Sequence, residues 1–174
     1  TVNTIDAADL SRLRLTGDCA GDMSDMSGTL LLDTRRRRWS KEMCERFGVD
    51  RDLLPPLLES HAPAGTLRGP AARSLHLPAG VPVVAGGGDQ PVGAVGAGVV
   101  SAGRVSAVIG TSGVVYAHAP RYTADAASRV NTFCSCVAGQ WCVFGCVLAA
   151  GGSLQWFRDV LGGVEVRAAR RRRA

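Results

Sequence analysis

The sequence lacks several features that would assign it at once to a broad class of protein. No apolar run reaches the roughly 18 residues that a transmembrane helix needs. The first ten residues carry two acids, no basic residue and no apolar core, so they do not resemble a secretory signal peptide. The six cysteines are not spaced as a disulfide framework. We therefore expect a protein of the reducing cytoplasm without a membrane partner.

A widely distributed basic charge is also missing, although the net charge is +5. Two arginine runs, at residues 35–38 and 170–173, supply eight of the 20 basic residues. The rest of the chain has 12 basic and 15 acidic residues, so the basic excess is local. Nucleic-acid-binding proteins usually combine basic residues throughout the fold with a recognisable motif. We expect residues 35–38 to form a solvated turn and predict no nucleic-acid partner.

What is present is the composition of an ordinary globular protein, 46% hydrophobic and 20% charged over 174 residues, the length of one domain. The residue patterns predict mixed α and β structure. Ser40 and Gly48 are typical caps for a helix over residues 41–47. Other predicted elements are a weak helix over residues 1–17, a loop over 21–27, a strand over 29–32 and a helical piece over 71–75.

An apolar run at residues 81–85 is bounded by glycines, which is typical of a strand buried on both faces. Three glycines and Asp89 follow it. Residues 90–98 are almost wholly Gly, Ala and Val and predict a helix. Glycine costs about 1 kcal/mol in a helix relative to alanine, so such a helix makes sense if it lies tightly against another backbone.

Two hairpins and a helix are predicted further along the chain. The hairpin strands are at residues 105–109 and 114–117, then at 131–137 and 141–147, and the helix covers about residues 148–161.

Cys134, Cys136, Cys142 and Cys146 in the second hairpin suggest a zinc site. With a two-residue turn, Cys136 would pair with Trp141. Cys134 and Cys136 would then face one side and Cys142 the other, because side chains alternate along a strand. Ligands split between two faces cannot form the tetrahedron that zinc needs. We predict buried apolar cysteines and no metal site in this chain.

Asp89 has two compatible interpretations. As a structural residue it would be the N-cap of the following helix, and Pro91 suits the first turn of that helix. A carboxylate on the turn after a strand is also accessible. Such a carboxylate is a plausible general base when a neighbouring hydroxyl attacks a phosphoryl group.

The turn Gly110, Thr111, Ser112 and Gly113 also has two interpretations. Glycines are common in hairpin turns because they adopt positive φ. Successive backbone N–H groups in a turn can also bind phosphates, and two hydroxyl side chains add further donors here. From the turn alone, both interpretations stay open.

The order of these motifs is more specific than any one of them. Gly-Gly-Gly-Asp at residues 86–89, Gly-Ala-Val-Gly-Ala-Gly at 93–98 and Gly-Thr-Ser-Gly at 110–113 resemble the FGGY family of carbohydrate kinases, and within it the xylulokinases. The resemblance extends from about residue 11 to residue 161. Its further segments are residues 12–18, 24–33, 132–134 and 150–157, together with Trp141.

This resemblance implies an α/β fold that is part of a two-lobe sugar kinase of the actin and hexokinase ATPase type, with ribonuclease H-like lobes. Residues 1–103 would be the end of the N-terminal lobe and residues 104–163 the start of the C-terminal lobe. Residues 164–174 look unlike the family and would be a disordered basic tail. Family members are several times longer than one domain, so we expect an internal fragment.

The resemblance also implies a chemistry. Asp89 would take the proton from the sugar hydroxyl, and Gln90, where the family often has Asn, would contact the sugar. Gly110, Thr111, Ser112 and Gly113 would hold the phosphates of ATP. Mg²⁺ would bridge those phosphates, with protein ligands mostly outside this chain. The expected reaction of a complete enzyme is ATP-dependent phosphorylation of D-xylulose to D-xylulose 5-phosphate, and the fragment alone is expected to be inactive.

Three alternatives stay open. Residues that select the sugar would lie largely upstream, so a kinase for glycerol or another ketose such as ribulose fits the same motifs. A non-catalytic remnant and a basic-tailed nucleic-acid-binding protein are alternatives from other classes. The sequence does not indicate an oligomeric state.

Overall fold

A computed structural model of the chain describes residues 7–163. The predicted basic tail at residues 164–174 lies outside the described residues, as does the start of the predicted first helix. The helices are α1 (Ala7–Thr16), α2 (Met23–Met26), α3 (Lys41–Phe47), α4 (Gly69–Leu75), α5 (Asp89–Gly96) and α6 (Gly151–Val160). The strands are β1 (Gly21–Asp22), β2 (Leu32–Asp33), β3 (Arg38–Trp39), β4 (Leu57–Leu58), β5 (Pro63–Thr66), β6 (Pro82–Val84), β7 (Val105–Ile109), β8 (Gly113–Ala119), β9 (Asn131–Cys134) and β10 (Trp141–Val147).

The strands form small two-stranded sheets first and a larger sheet afterwards. β1 pairs with β4 in parallel, while β2 pairs with β3 and β5 with β6 in antiparallel. The last four strands form one antiparallel sheet in the order β7-β8-β10-β9. Mixed helix and sheet structure of this kind agrees with the α/β class that the sequence predicts. No helix within residues 7–163 is long and apolar enough to cross a membrane.

Local signals predicted α3 and β7 correctly. The Ser40 side chain accepts a hydrogen bond from the Met43 N–H at 3.2 Å, and Gly48 ends the helix with φ of 65°. β7 has the predicted bounds. Its partner β8 is longer than predicted and continues to Ala119. These elements follow from caps and apolar runs that lie within the segments themselves.

The predicted loop at residues 21–27 was wrong. Asp22 ends β1, and its carboxylate accepts the N–H groups of Ser24 and Asp25, which caps the short helix α2. A 3-10 helix at Ser27–Thr29 then occupies part of the predicted strand, so only Leu32–Asp33 is extended there. The polar residues act as caps and buried hydrogen-bonding groups rather than as solvated loop residues.

The predicted burial of residues 81–85 was also wrong. β6 pairs with β5 alone, and Val84 is 51% exposed while Ala85 is buried. An apolar run shows that a strand tolerates burial on both faces, but not which elements cover it. Within residues 7–163, neither face of β6 is covered by a second layer over its whole length.

One face of the four-stranded sheet packs against α5 and the residues that follow it. Ala94 and Val99 form a buried cluster with Tyr116 of β8 and Cys142 of β10. Phe133 and Phe144 pack beside this cluster as an edge-to-face pair with ring centroids 4.8 Å apart. Ala94 therefore lies against the sheet, but the tight packing predicted for this Gly- and Ala-rich helix was wrong for Gly93 and Gly96, which are exposed and where a Cβ atom would meet nothing within 4 Å.

The other face of the sheet packs against the first third of the chain. Met26 and Leu32 form a second buried cluster with Cys134 of β9, and Trp141 packs at its edge. The Trp141 indole N–H donates to the Thr34 carbonyl at 2.7 Å. Segments far apart in sequence are thus joined through one shared core.

The predicted solvated turn at residues 35–38 is confirmed in part, since residues 34–37 form a turn and Arg35, Arg36 and Arg38 are exposed. Arg37 is not solvated and is a further link between these segments. Its guanidinium pairs with Glu59 at 2.7 Å, donates to the Gln140 carbonyl at 3.0 Å and lies over the Trp141 ring. Only 14% of its side chain is exposed. Its neighbour Arg36 pairs with Asp33 at the surface.

The register of the second hairpin differs from the predicted one by two residues. Cys134, not Cys136, pairs with Trp141, because residues 136–139 form the connection between the strands. β9 consequently ends at Cys134. The helix that follows the hairpin begins at Gly151, three residues later than predicted.

Candidate functional site

Asp89 lies where β6 runs through a glycine loop into α5. The Ala85 and Gly86 N–H groups donate to the carbonyls of Ala62 and Ser60 at 2.9 Å, and Gly86 has φ of 85°. Gly88 is the N-cap of α5, so Asp89 is the first helical residue and not the cap that the structural interpretation predicted. The loop therefore ends with a carboxylate at the start of a helix, where the helix dipole favours negative charge.

The Asp89 side chain is exposed. Its Oδ1 atom accepts the Gln90 N–H at 2.6 Å, and this is the hydrogen bond that the described residues give it. Gln90 is half-buried beside it, and Pro91 is buried in the first turn. A carboxylate that is exposed and hydrogen-bonded to an N–H in the first turn of its own helix can accept a proton from the hydroxyl of a bound substrate.

A buried arginine fixes the start of the glycine loop. The Arg12 Nε atom donates to the Ala85 carbonyl at 2.9 Å, and its Nη1 atom binds Asp9 at 2.6 Å and also donates to the Ala20 carbonyl. Arg12 is 3% exposed. Sequence patterns did not single out this residue, because its contact with Ala85 spans 73 positions.

The second predicted motif, Gly110 to Gly113, connects β7 to β8. The Gly110 N–H donates to the Ser112 carbonyl at 2.8 Å. Among the hydrogen bonds of residues 7–163, the N–H groups of Thr111 and Ser112 have no acceptor, and both residues are exposed. Two adjacent free N–H groups with two hydroxyls are donors suited to phosphate oxygens.

The start of α6 packs directly against this turn. The Gly110 carbonyl accepts the Gly151 N–H at 3.0 Å, and the Thr111 carbonyl accepts those of Ala150 and Gly152 at 2.8 and 3.1 Å. Space explains Gly151 and Gly113, since a Cβ atom on Gly151 would lie 2.5 Å from the Gly110 oxygen and one on Gly113 would lie 3.0 Å from the Ala150 Cβ atom. A Cβ atom on Gly110 would meet only the Ser112 oxygen, at 3.8 Å. Neither Gly110 nor Gly113 has positive φ. The hairpin interpretation was therefore wrong about why glycine stands there.

Asp89 and the Gly110 to Gly113 turn lie on elements that share one core. Ala94 of α5 packs with Tyr116, which lies three residues beyond Gly113 in β8. With a rise of about 1.5 Å per helical residue, Asp89 lies within roughly 10 Å of the contact between Ala94 and Tyr116 along α5. With a rise of about 3.4 Å per strand residue, Gly113 lies roughly 10 Å from the same contact along β8. No hydrogen bond or salt bridge among the described residues joins the two motifs directly.

The cysteines do not form a cluster of ligands. Cys134 pairs with Trp141 on one face of the sheet, and Cys142 pairs with Phe133 on the other. Within residues 7–163, no group of three or more His, Cys, Asp or Glu side chains is arranged to hold a metal ion. The absence of a metal site stays a prediction.

Comparison with known proteins supplies the family. The model of the N-terminal domain of the FGGY family of carbohydrate kinases matches residues 4–96. The chain belongs to the FGGY family of carbohydrate kinases. It is similar to the xylulose kinases of Klebsiella pneumoniae and Escherichia coli K12, with 40% and 39% identity over 154 residues, which is 88% of this chain. The residues matched by the family model include the glycine loop and Asp89.

Solved structures agree with this assignment. A "xyloylose kinase" from Brucella ovis superposes with a TM-score of 0.83 and 38% identity over 88% of this FGGY chain. The FGGY chain spans about a third of its relatives, 32% of the Klebsiella pneumoniae and Escherichia coli proteins and 32% of the Brucella ovis chain. This similarity confirms the predicted fold class, which is α/β and part of the sugar-kinase fold of the actin and hexokinase ATPase type.

Proposed function

We propose that this FGGY chain is part of an ATP-dependent kinase that converts D-xylulose to D-xylulose 5-phosphate. The exposed Asp89 carboxylate at the end of the glycine loop is the observation that carries the proposal. Relatives with about 40% identity are named xylulose kinases, which supports this sugar over the other polyols that the family phosphorylates. A cytoplasmic location is part of the same proposal.

In the proposed reaction, a sugar hydroxyl attacks the γ-phosphorus of ATP and the bond from that phosphorus to the ADP oxygen breaks. Asp89 takes the proton of the attacking hydroxyl, and Gln90 contacts the sugar. The free N–H groups of Thr111 and Ser112 bind phosphate oxygens, and Gly110 and Gly113 shape that turn. Phosphoryl transfer depends mainly on such positioning and charge stabilisation.

ATP fits the Gly110 to Gly113 turn because that turn offers exposed donors and no competing carboxylate of its own. When bound, Mg²⁺ supplies charge neutralisation between the phosphates. We propose that the protein groups around Mg²⁺ come mostly from outside this chain.

The proposed division into lobes follows the sheet topology, since the strands before residue 103 form two-stranded sheets and the four-stranded sheet begins at Val105. Residues 1–103 would belong to the N-terminal lobe, and the four-stranded sheet with α6, within residues 104–163, would begin the C-terminal lobe. Asp89 would then lie on one lobe and the phosphate-binding turn on the other. Sugar, ATP and no nucleic acid are the proposed partners.

Asp89→Asn in a complete enzyme that carries this segment tests the proposal. The amide keeps the shape and the contact with the Gln90 N–H, but it does not accept a proton. We expect kcat to fall by about 10²- to 10⁴-fold with little change in ATP binding. Thr111→Val should instead raise the KM for ATP, since it removes a donor beside the free N–H groups.

Asp50→Asn is the matched control, because Asp50 is another exposed aspartate at a helix start. It is the N-cap of a 3-10 helix at Arg51–Leu53, and its Oδ1 atom accepts the Asp52 N–H at 3.0 Å. It should leave kcat unchanged. Near-normal turnover of Asp89→Asn would eliminate the general-base role. Assays with xylulose, ribulose and glycerol decide among the sugars, and a preference for ribulose or glycerol would replace the xylulose assignment.

A further inference from the structure

Ser24 contacts the glycine loop immediately before Asp89. Its Oγ atom accepts the Gly88 N–H at 3.1 Å, although the two residues are 64 positions apart. Gly88 is the N-cap of α5 and has no side chain of its own to fix the first turn. The Ser24 hydroxyl therefore holds the backbone at the position from which the Asp89 side chain projects.

The Ser24 hydroxyl is itself fully oriented. It donates to Oδ1 of Asp22, which also accepts the N–H groups of Ser24 and Asp25. Asp22 is completely buried, and burial raises the pKa of its carboxyl group. Because the hydroxyl hydrogen points to Asp22, the oxygen lone pairs of Ser24 are left to accept the Gly88 N–H and the Cys136 thiol.

The packing around Ser24 leaves the loop little freedom. A Cβ atom on Gly87 would lie 2.4 Å from the Cys136 Sγ atom and 2.9 Å from the Ser24 Oγ atom. A Cβ atom on Gly88 would lie 3.3 Å from Oδ1 of Asp25. The loop is thus fixed at its start through Arg12 and at its end through Ser24.

We infer that Ser24, oriented by Asp22, is a positioning residue that holds the Asp89 carboxylate in place for the reaction. Within residues 7–163, the exposed Asp89 carboxylate accepts a single hydrogen bond, from the N–H of the next residue, so its position depends on the backbone at Gly88. This inference rests on the proposed general-base role of Asp89. A displacement on the order of 1 Å at a reacting group costs up to about 10²-fold in rate.

Ser24→Ala in a complete enzyme that carries this segment removes the acceptor of the Gly88 N–H. We expect kcat to fall by about 10- to 100-fold, with the KM for ATP unchanged within about twofold. Hydrogen exchange at the Gly88 amide, followed by mass spectrometry, should become faster. Ser24→Thr keeps the hydroxyl and should recover most of the lost turnover.

Ser27→Ala is the matched control. Ser27 is equally buried in the same segment, accepts the Cys134 N–H at 3.0 Å and donates to the Met23 carbonyl, but it does not touch the glycine loop. It should lower thermal stability to a similar extent and leave kcat within about twofold of the unmodified enzyme. If Ser24→Ala does not accumulate as folded protein, Ser24→Cys, a much poorer acceptor, takes its place with the same expected loss.

Two results would overturn the inference alone. One is that Ser24→Ala has a kcat within twofold of the unmodified enzyme while Asp89→Asn has a reduced kcat. That result would leave the proposed function intact. The other is an equal loss of kcat in Ser24→Ala and Ser27→Ala, which would show a general packing effect. Normal turnover of Asp89→Asn would instead overturn the general-base role and this inference together.

Discussion

Cys134 and Cys142 are fully buried within the four-stranded sheet, whereas Cys19 and Cys146 are exposed. Burial raises the pKa of the Cys142 thiol to about 11 and also raises that of Cys134. The thiolate is the form that reacts with electrophiles, so both a raised pKa and exclusion from solvent protect these two residues.

We therefore predict a clear order of alkylation by iodoacetamide at pH 8. Cys19 and Cys146 should be modified first, and Cys134 and Cys142 only after unfolding. Peptide mass spectrometry of a time course measures this, with denatured protein as the control in which all four react. Modification of Cys142 at the rate of Cys19 in folded protein would contradict the burial described here.

Single residues differ in how well the sequence predicts them. Ser40 and Gly48 were predicted because a helix cap acts within four residues of its own position. Asp89 and the Gly110 to Gly113 turn were found as motifs. Ser24 and Arg37 were missed as functional contacts because their partners Gly88 and Gln140 lie 64 and 103 positions away.

Among the helices, α6 starts in close contact with the Gly110 to Gly113 turn. A Cβ atom on Gly151 would meet the Gly110 oxygen at 2.5 Å, whereas one on Gly93 in the middle of α5 would meet nothing within 4 Å. Alanine normally stabilises a helix relative to glycine by up to about 1 kcal/mol. Replacement by alanine therefore places the same methyl group in a crowded position at Gly151 and in an open position at Gly93.

Gly151→Ala should lower the free energy of unfolding by about 1–3 kcal/mol, as overpacking does. It should also raise the KM for ATP, since α6 must move away from the turn that carries Thr111 and Ser112. Gly93→Ala should be neutral or stabilising and leave the KM for ATP unchanged. Thermal unfolding and steady-state kinetics of a complete enzyme with either substitution measure both effects. Equal stability of the two variants would mean that α6 does not pack against the turn as described.

Element positions were predictable where a pattern repeats within the element. The alternating and apolar residues of β7 gave its bounds correctly. The second hairpin was paired two residues out of register because four residues, not two, connect its strands. The burial of β6 was misjudged because the apolar run carries no information about which layers cover it.

For the whole molecule, the outer surface of α6 and the sheet edge beside it are apolar. Ile109 is 78% exposed and Leu148 is 87% exposed, and α6 itself has no buried residue. Its large side chains Leu154, Trp156 and Phe157 are all exposed. Monomeric proteins rarely expose apolar patches of this kind, so this surface favours association.

We predict that the 174-residue chain alone self-associates and does not phosphorylate xylulose. Exposed apolar side chains and the uncovered β6 favour aggregation. Size-exclusion chromatography should show species larger than a monomer, and ADP release should not depend on xylulose. A monomeric chain with sugar-dependent ADP release that disappears in Asp89→Asn would show that the chain is a complete catalyst.

The hydrogen bonds between the first third of the chain and the β9–β10 hairpin have a consequence for chimeric enzymes. In three of them a main-chain atom pairs with a side chain of Ser27, Arg37 or Trp141. In two others the Cys134 thiol donates to the Thr34 carbonyl and the Cys136 thiol donates to the Ser24 hydroxyl. A recombinant that joins two parent kinases near residue 103 inherits the main-chain partners from any parent, whatever its sequence. For these hydrogen bonds, compatibility therefore depends on Ser24, Ser27 and Arg37 from the upstream parent and on Cys134, Cys136 and Trp141 from the downstream parent.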